Sequence, residues 1–368
     1  MAGGNSRERT SLIVTVPVAG GQPTERTSLI VTVLDEADSI DELLESIAAQ
    51  TRQPDEVVVV DGGSRDGTWQ RLQTWTARLP LHLIRAPGAG IARGRNLAID
   101  AASASVIAVT DAGVRLEPDW LAQLHTALSD DTDVVSGFFT AETSTTFEHA
   151  LGATVLPAVK DIDHDTFLPS SRSVLFRRAA WAAVGGYPEW LDYCEDLVFD
   201  LTLKRAGCRF AFAPQARVWF RPRGSLPAFF RQYYRYARGD GKADLFRRRH
   251  AIRYATYALA VILLRWSGLL PPTGLIPRSS SGSRRGVALL LIAFGGLAYT
   301  RRPYARLWPA VEGLSPGEVA YALALVPAIR LVGDVAKMLG YPVGVWWRLR
   351  GGGITRTRSV STLRRTDF

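Results

Sequence analysis

Two rhythms of apolar and polar positions alternate along the first two thirds of the chain. Short continuous apolar runs end in an acid or a turn residue, and between them apolar side chains recur at helical spacing. The run Val106-Ile-Ala-Val-Thr-Asp111 is uncharged until its last residue and is followed by Gly113. That is the pattern of a strand buried on both faces of a parallel sheet. The runs 25–33, 56–61, 81–84, 133–140 and 173–177 predict further strands. Helices are predicted between them. Ile40, Leu43, Leu44 and Ile47 share one face, and Ser39 with Glu42 has the spacing of a capping box. Segments 68–79 and 91–102 follow, then a helix entered at Pro118 with Trp120, Leu121, Leu124 and Leu128 on its apolar face. Glu195-Asp196 opens another, carrying Leu197, Val198, Leu201 and Leu203 and stopped by Gly207. Segment 141–171 has neither rhythm and reads as irregular. Strands alternating with helices predict an α/β fold with a doubly wound, mostly parallel sheet. Ligands of such sheets lie outside the carboxyl ends of the strands, where this chain puts Asp61 and Asp111.

Beyond residue 228 the pattern changes. Arg and aromatic residues interleave in Phe230-Arg-Gln-Tyr-Tyr-Arg-Tyr-Ala-Arg238, and Arg247-Arg-Arg249 follows. Basic stems beside aromatic bodies suit a lipid–water interface. Segment 254–270 is apolar apart from Arg265, and 286–299 carries no charge. Both fall short of the ~20 residues that usually span a bilayer, so a thin hairpin or a re-entrant pair is expected, joined through the serine-rich linker 279–283. The competing reading is a set of core helices in a soluble domain. Segment 319–332 is a third apolar stretch, interrupted at its end by Arg330, Asp334 and Lys337, and reads as an interfacial helix. The expected organisation is therefore a tail at 1–24, an α/β domain at 25–228 with halves 25–113 and 114–228, a basic-aromatic segment at 229–253, a membrane hairpin at 254–300, and an interfacial helix with a basic tail at 301–368. Two crossings return the Arg-rich end to the cytoplasm, as the positive-inside rule prefers.

The net charge of +9 comes mostly from Arg beside those apolar runs and points to an anionic membrane surface. No helix-turn-helix, zinc or RNP-type signature supports nucleic acid as a partner. Two cysteines, Cys194 and Cys208, make neither a disulfide framework nor a metal spacing, and read as reduced, mostly buried thiols. No signal peptide is expected, because 12–18 is too short for an apolar h-region. The nonamer Glu8-Arg-Thr-Ser-Leu-Ile-Val-Thr-Val16 recurs letter for letter at 25–33. Only the second copy runs into an acidic loop and an amphipathic helix, so it is expected to be the first strand. The cluster Asp161, Asp163, His164 and Asp165 lacks a spaced His or Cys partner and reads as a solvated loop.

Over about residues 28–238 these motifs, in this order, resemble family 2 glycosyltransferases of the glycosyltransferase A fold. Leu34-Asp35-Glu36-Ala37 is similar to the family's first loop, with Asp where Asn is usual. Asp61-Gly-Gly-Ser-Arg-Asp-Gly-Thr68 matches the family's second-strand motif except at Gly62. Arg95-Asn96 fits the pair before the metal-motif strand, and Asp111-Ala-Gly113 fits the Asp-x-Asp motif without its last acid. Glu195-Asp196 fits the Glu-Asp pair, and Gln232-Tyr-Tyr-Arg-Tyr236 resembles a Gln-x-x-Arg-Trp motif with Tyr for Trp.

The resemblance implies roles. Asp196, with Glu195, would be catalytic, Asp196 as the general base for an attacking hydroxyl. Glu36, Asp61, Arg95, Asp111, Gln232, Arg235 and Tyr236 would contact the nucleotide sugar. Asp61 would reach the base or ribose, or else cap its own loop. Asp111 would hold Mg²⁺ or Mn²⁺ on the diphosphate, and Arg235 would add positive charge with Tyr236 stacking on a sugar. The Arg and Tyr residues also suit a lipid-facing belt. Gly113 and the absence of His in Trp219-Phe220-Arg221, after the strand 216–220, depart from the family's metal set. The implied activity is inverting transfer from a nucleotide sugar to a lipid-linked or cell-surface glycan acceptor. The catalytic domain would lie on the cytoplasmic face of the cell membrane, in contact with membrane lipids. A processive polysaccharide synthase and an inactive sugar-nucleotide-binding or scaffold protein are the alternatives.

Overall fold

In the computed structural model, residues 25–270 and 282–352 are described. The first copy of the nonamer, the linker up to residue 281 and the Arg-rich end lie outside them.

The sheet begins with β1 (Thr27–Val33), α1 (Ile40–Ala48), β2 (Glu56–Asp61), α2 (Thr68–Trp75), β3 (Leu81–Arg85), α3 (Ile91–Ala101) and β4 (Val106–Asp111). It continues through β5 (Val114–Leu116), α4 (Trp120–Thr126), β6 (Val134–Ala141), α5 (Thr146–Val155), β7 (Val174–Arg177), α6 (Arg178–Ala183), α7 (Glu195–Arg205) and β8 (Phe210–Phe220). Eight strands form one sheet in the order β3-β2-β1-β4-β7-β6-β8-β5. The first four are mutually parallel, whereas β7 enters antiparallel to both β4 and β6. Side chains alternate across the sheet. Leu29, Val31 and Val33 pack with Ile40, Leu43, Leu44 and Ile47 of α1 on one face. Ile30, Val58, Val60, Ile107 and Val109 pack with Ala98 and Ile99 of α3 and Phe199 of α7 on the other.

The second nonamer copy is thus the central strand β1. Its register pairs Val33 with Asp61 and Thr32 with Asp111. Both acids therefore reach the same edge of the sheet, on either side of the end of β1. Deleting residues 1–24 should leave the unfolding midpoint and nucleotide binding unchanged. Loss of either would transfer the strand role to the first copy.

Several expectations are corrected. Ser39 is the N-cap of α1 but makes no capping hydrogen bond; its hydroxyl donates to Glu36 Oε2 at 2.6 Å. Helix α2 stops at Trp75 rather than reaching 79. Pro118 lies outside α4, whose N-cap is Asp119. The stretch read as irregular contains α5, closed by a capping box between Thr145 and Glu148, and Asp161 there pairs with Arg306 at 2.9 Å.

Among the described residues four long helices follow: α8 (Leu226–Ala243), α9 (Arg247–Trp266), α10 (Gly282–Ala310) and α11 (Pro316–Trp347). The boundary expected at 229 falls inside α8. Glycines let α8 and α11 approach backbone to backbone. A Cβ on Gly340 would stand 2.2 Å from the Tyr234 carbonyl oxygen, and one on Gly344 2.1 Å from that of Arg238. Among the described residues one helix, Pro316–Gly351, is long and apolar enough to cross a membrane, and 39% of its most apolar window is buried in the protein. The segment both long and apolar enough to span is therefore the third apolar stretch rather than either of the first two. Helices α9 and α10 expose Ile252, Leu259, Leu290, Phe294 and Leu297.

Candidate active site

The loops after β1 and β2 hold each other by hydrogen bonds. The backbone N–H groups of Asp35, Glu36 and Ala37 donate to Ser64 Oγ, Thr68 Oγ1 and Asp66 Oδ2 at 2.8–2.9 Å. The Arg65 N–H donates back to Asp35 Oδ1 at 2.8 Å. The Thr68 hydroxyl and the Ala37 N–H hold the Asp66 carboxyl down at about 2. Most of the Asp61–Thr68 motif thus ties the two loops together, and of its residues Gly62 lines the adjacent cavity. Asp61 is fully buried. Its Oδ1 accepts from the Gly63 and Ser64 N–H groups and the Ser64 hydroxyl at 2.7–3.0 Å, so it caps its own loop. Its Oδ2 is buried without a hydrogen-bond partner, 3.9 Å from Arg85 Nε. An orphaned buried carboxylate oxygen is costly, and a ligand N–H or hydroxyl donor would satisfy it.

Helix α3 comes close to β1 because residue 94 is glycine, where a Cβ would stand 2.9 Å from Thr32 Cγ2. That approach carries Arg95 into the interior, 2% exposed. Its guanidinium bridges Asp111 Oδ1 at 2.6 Å and Glu195 Oε1 at 2.7 Å. Burial works against the Arg95 charge, but the carboxylates of Asp111 and Glu195 outweigh it and raise its pKa. Burial and the adjacent Asp196 push the Glu195 carboxyl up, while Arg95 opposes them. Asn96 serves the scaffold: its amide donates to the Tyr187 carbonyl and accepts from the Tyr187 N–H, each at 2.9 Å.

Helix α7 starts at a strained point. Cys194 has φ +65°, and its thiol donates to the Tyr236 carbonyl at 3.3 Å, which ties the start of α7 to α8. Glu195 turns inward to Arg95. Asp196 faces open space, its Oδ1 accepting from the Leu197 N–H at 2.8 Å. One turn further, Asp200 is fully buried, and burial together with Asp196 drives its carboxyl well above the usual range.

Two cavities meet here. The first, about 530 Å³, is lined by Glu36, Gly62, Gly94, Asp111, Gln232 and Tyr236 among others. The second, about 480 Å³, is lined by Glu195 and Asp196 with residues of α8, α9 and α11. Asp111, Arg172 and Tyr236 border both. Gln232 donates to the Tyr236 hydroxyl at 2.9 Å, and burial pushes that phenol up. Arg235 lines neither cavity. It donates to the Tyr193 hydroxyl at 3.1 Å, because one helical step turns it from the face bearing Gln232 and Tyr236. The cation at the junction is Arg172, which sequence reasoning missed. Its guanidinium lies 4.9 Å from the centre of the Phe220 ring, and its Nε is 3.9 Å from Asp111 Oδ2.

The fit of a divalent cation turns on Asp111. Among the described residues no group of three or more His, Cys, Asp or Glu side chains gathers to hold a metal. Gly113 has φ +73° with Glu36 Oε2 3.6 Å from its added Cβ, so a second acid there would be strained and near like charge. Mg²⁺ is commonly held by one or two carboxylates with substrate phosphates and water. Asp111 Oδ2 fits that minimal role, since Arg95 engages only Oδ1 and Arg172 stands off Oδ2 at 3.9 Å, beyond hydrogen-bond distance.

A mostly parallel sheet with acids at its carboxyl edge, two joined cavities and a carboxylate opening a helix between them define a nucleotide-sugar-dependent glycosyltransferase of the glycosyltransferase A type. Residues 28–179 match Glycosyl transferase family 2, and residues 106–326, more than half of the chain, match Glycosyl transferase family group 2. The chain belongs to glycosyltransferase family 2. It is 29% identical over 265 residues to the succinoglycan biosynthesis protein ExoA of Rhizobium meliloti (strain 1021), covering 64% of this chain and 76% of that one. Among solved structures, the mannosyltransferase PcManGT from Pyrobaculum calidifontis in complex with GDP-Man and Mn²⁺ is 20% identical, with TM-score 0.49 over 88% of this chain and 87% of that chain. S. aureus TarS 1–349 in complex with UDP-GlcNAc is 19% identical, with TM-score 0.46 over 89% of this chain and 92% of that chain.

Proposed function

We propose that this glycosyltransferase moves a sugar, with inversion at the anomeric carbon, from a nucleotide diphosphate donor in the first cavity to a hydroxyl of a glycan acceptor in the second. The observation that carries this reading is the division of labour between the cavities. Asp111 and Arg172 border both, whereas Asp196 lines only the second. The acceptor hydroxyl attacks the anomeric carbon, its proton passes to Asp196, and the bond from that carbon to the diphosphate oxygen breaks. Glu195 acts through Arg95 as a positioning residue. Asp61 Oδ2 and Glu36 suit polar groups of the nucleoside, and Gln232 holds the Tyr236 hydroxyl at the junction. Arg172 meets the negative charge that grows on the departing diphosphate, a role the motif suggested for Arg235. A divalent cation on Asp111 Oδ2 would neutralise the same charge. The likeness to ExoA supports exopolysaccharide assembly, with a lipid-linked or cell-surface acceptor. The exposed apolar faces of α9 and α10 support work at a membrane surface, with the catalytic domain on the cytoplasmic side.

The test is transfer from a panel of labelled nucleotide sugars to an envelope lipid extract, with the anomeric configuration of the product determined. A retained configuration, or no transfer and no donor hydrolysis with any sugar, would overturn the reading. Asp111→Asn should keep the Arg95 hydrogen bond yet weaken nucleoside diphosphate binding in Mn²⁺ by about tenfold, one charge-assisted contact. The difference should vanish in chelator. Wild-type binding that is equal in Mn²⁺ and in chelator would remove the cation from Asp111.

A further inference from the structure

The wall of the second cavity opposite α7 is made by the C-terminal helices, and its chemistry differs from the rest of the site. Helix α9 contributes Arg249, His250 and Arg253, and α11 contributes Lys337. Arg249 and Arg253 stand four residues apart and share a helix face. Arg253 is fixed, donating to Asp334 Oδ1 at 2.8 Å and meeting His250 Nδ1 at 3.1 Å. His250 is fixed in turn by Asp240 at 3.1 Å. Among the described residues no carboxylate is in contact with the other two cations. The Arg249 guanidinium lies over the Phe246 ring at 4.8 Å, and the Lys337 ammonium lies 4.8 Å from the centre of the Tyr233 ring. Lys337 is half-buried, where a cation is normally paired, and Arg249 is exposed at the rim of the cavity; for both, the aromatic neighbour leaves the charge open to an anion.

The surroundings narrow the anion. Next to this wall α9 exposes Ile252 and Leu259, and α11 exposes Val335 and Leu339. Large apolar side chains beside a basic pocket fit a ligand with an anionic head and an apolar chain. The cavity volume of about 480 Å³ lies in the range of ~300–1,000 Å³ usual for small-molecule sites. It leaves room for a sugar between the basic wall and Asp196.

We infer that Arg249 and Lys337, on the frame set by Arg253 and His250, bind the phosphate of a lipid-linked acceptor and aim its sugar hydroxyl at Asp196. This rests on the transferase reading above and names its acceptor class: a phosphate or diphosphate ester of a long apolar alcohol. The head group docks between α9 and α11, and the chain leaves along their exposed apolar faces into the bilayer. Specificity for the carrier then lies in helices outside the α/β domain.

The experiment measures binding of the full-length protein to phosphatidylcholine vesicles carrying a long-chain isoprenyl monophosphate. Vesicles carrying an equal charge of phosphatidylglycerol, and soluble hexose phosphate and inorganic phosphate as competitors, form the other arms. The expected result is preference for the isoprenyl phosphate by about tenfold or more, the size of one or two charge-assisted contacts. Arg249→Glu should abolish that preference, and Arg249→Lys should keep most of it. Lys337→Gln should weaken it in the same direction, with far-UV circular dichroism checking the fold. Equal binding to phosphatidylglycerol vesicles would reduce the wall to a general anionic-surface contact and overturn the assignment. Competition by soluble phosphates as strong as by the lipid would overturn the lipid part. Unchanged binding by folded Arg249→Glu would overturn it altogether. Donor hydrolysis by the wild type is read separately, so failure of the transferase reading is distinguishable from failure of this one.

Discussion

Asp196→Asn abolishes sugar transfer, by 10²-fold or more on the scale of about 10²–10⁴ for a general base, while the donor still binds within a fewfold of wild type. Asn has the same shape and can still accept the Leu197 N–H that Asp196 Oδ1 accepts at 2.8 Å, so the start of α7 survives. What it loses is the capacity to take a proton. Donor affinity is spared because Asp196 borders only the second cavity. The fold should not suffer either. Asp196 is a like charge that raises the carboxyls of Glu195 and Asp200. A carboxyl raised in the folded state weakens the fold once the pH passes its ordinary value, and removing Asp196 relieves part of that strain above about pH 4. The measurements are initial rates at saturating acceptor, donor affinity by calorimetry, and the unfolding midpoint at pH 7. Donor binding lost together with activity would mean that Asp196 serves the nucleotide instead.

The parallel half of the sheet was legible because strands covered on both faces are written as continuous apolar runs; β1, β2 and β4 ended where the pattern said, while the half-exposed β3 runs one residue further, to Arg85. The acids at their ends were legible for the same reason. What Arg95 does was not. Its partners stand 16 and 100 residues away, and nothing local says that the close approach allowed by Gly94 turns it inward. Arg172 escaped notice because its place at the cleft depends on β7 entering antiparallel between β4 and β6, which is a property of strand order. Helix α5 could have been found, since Thr145 and Glu148 have the capping-box spacing that was credited to Ser39 and Glu42. There the spacing was present without the cap: the Ser39 hydroxyl donates upstream to Glu36 and accepts no N–H of the first turn. Gly340 and Gly344, four residues apart, were a readable sign of close helix pairing. The aromatic and basic residues of α8 therefore divide between the cleft, where Gln232 and Tyr236 face, and the α11 contact, where Phe229 packs against Gly333.

Arg95→Met should cost about 3–5 kcal/mol, the usual penalty for leaving buried charges without their partner. The guanidinium is the shared counter-charge of Asp111 and Glu195. Glu195 is itself buried beside Asp196, so its carboxylate has no solvent to turn to. At ~2 °C or more per kcal/mol, the unfolding midpoint falls by at least about 6 °C. A smaller loss would show that water reaches the cluster. Restoring charge balance separates this cost from simple loss of packing. In the triple variant Arg95→Met, Glu195→Gln, Asp111→Asn no buried charge is stranded, and most of the stability returns, because neutral side chains of similar volume replace a buried ion cluster at little cost. Activity should not return with it. Asp111 borders the donor cavity and Glu195 adjoins the proposed base, and both lose the group that holds them 2.6–2.7 Å from a common centre. A triple variant that regains stability and also transfers sugar at the wild-type rate would confine Arg95 to a packing role. One that regains stability without activity would show that the charges of this cluster serve the reaction and not only the fold.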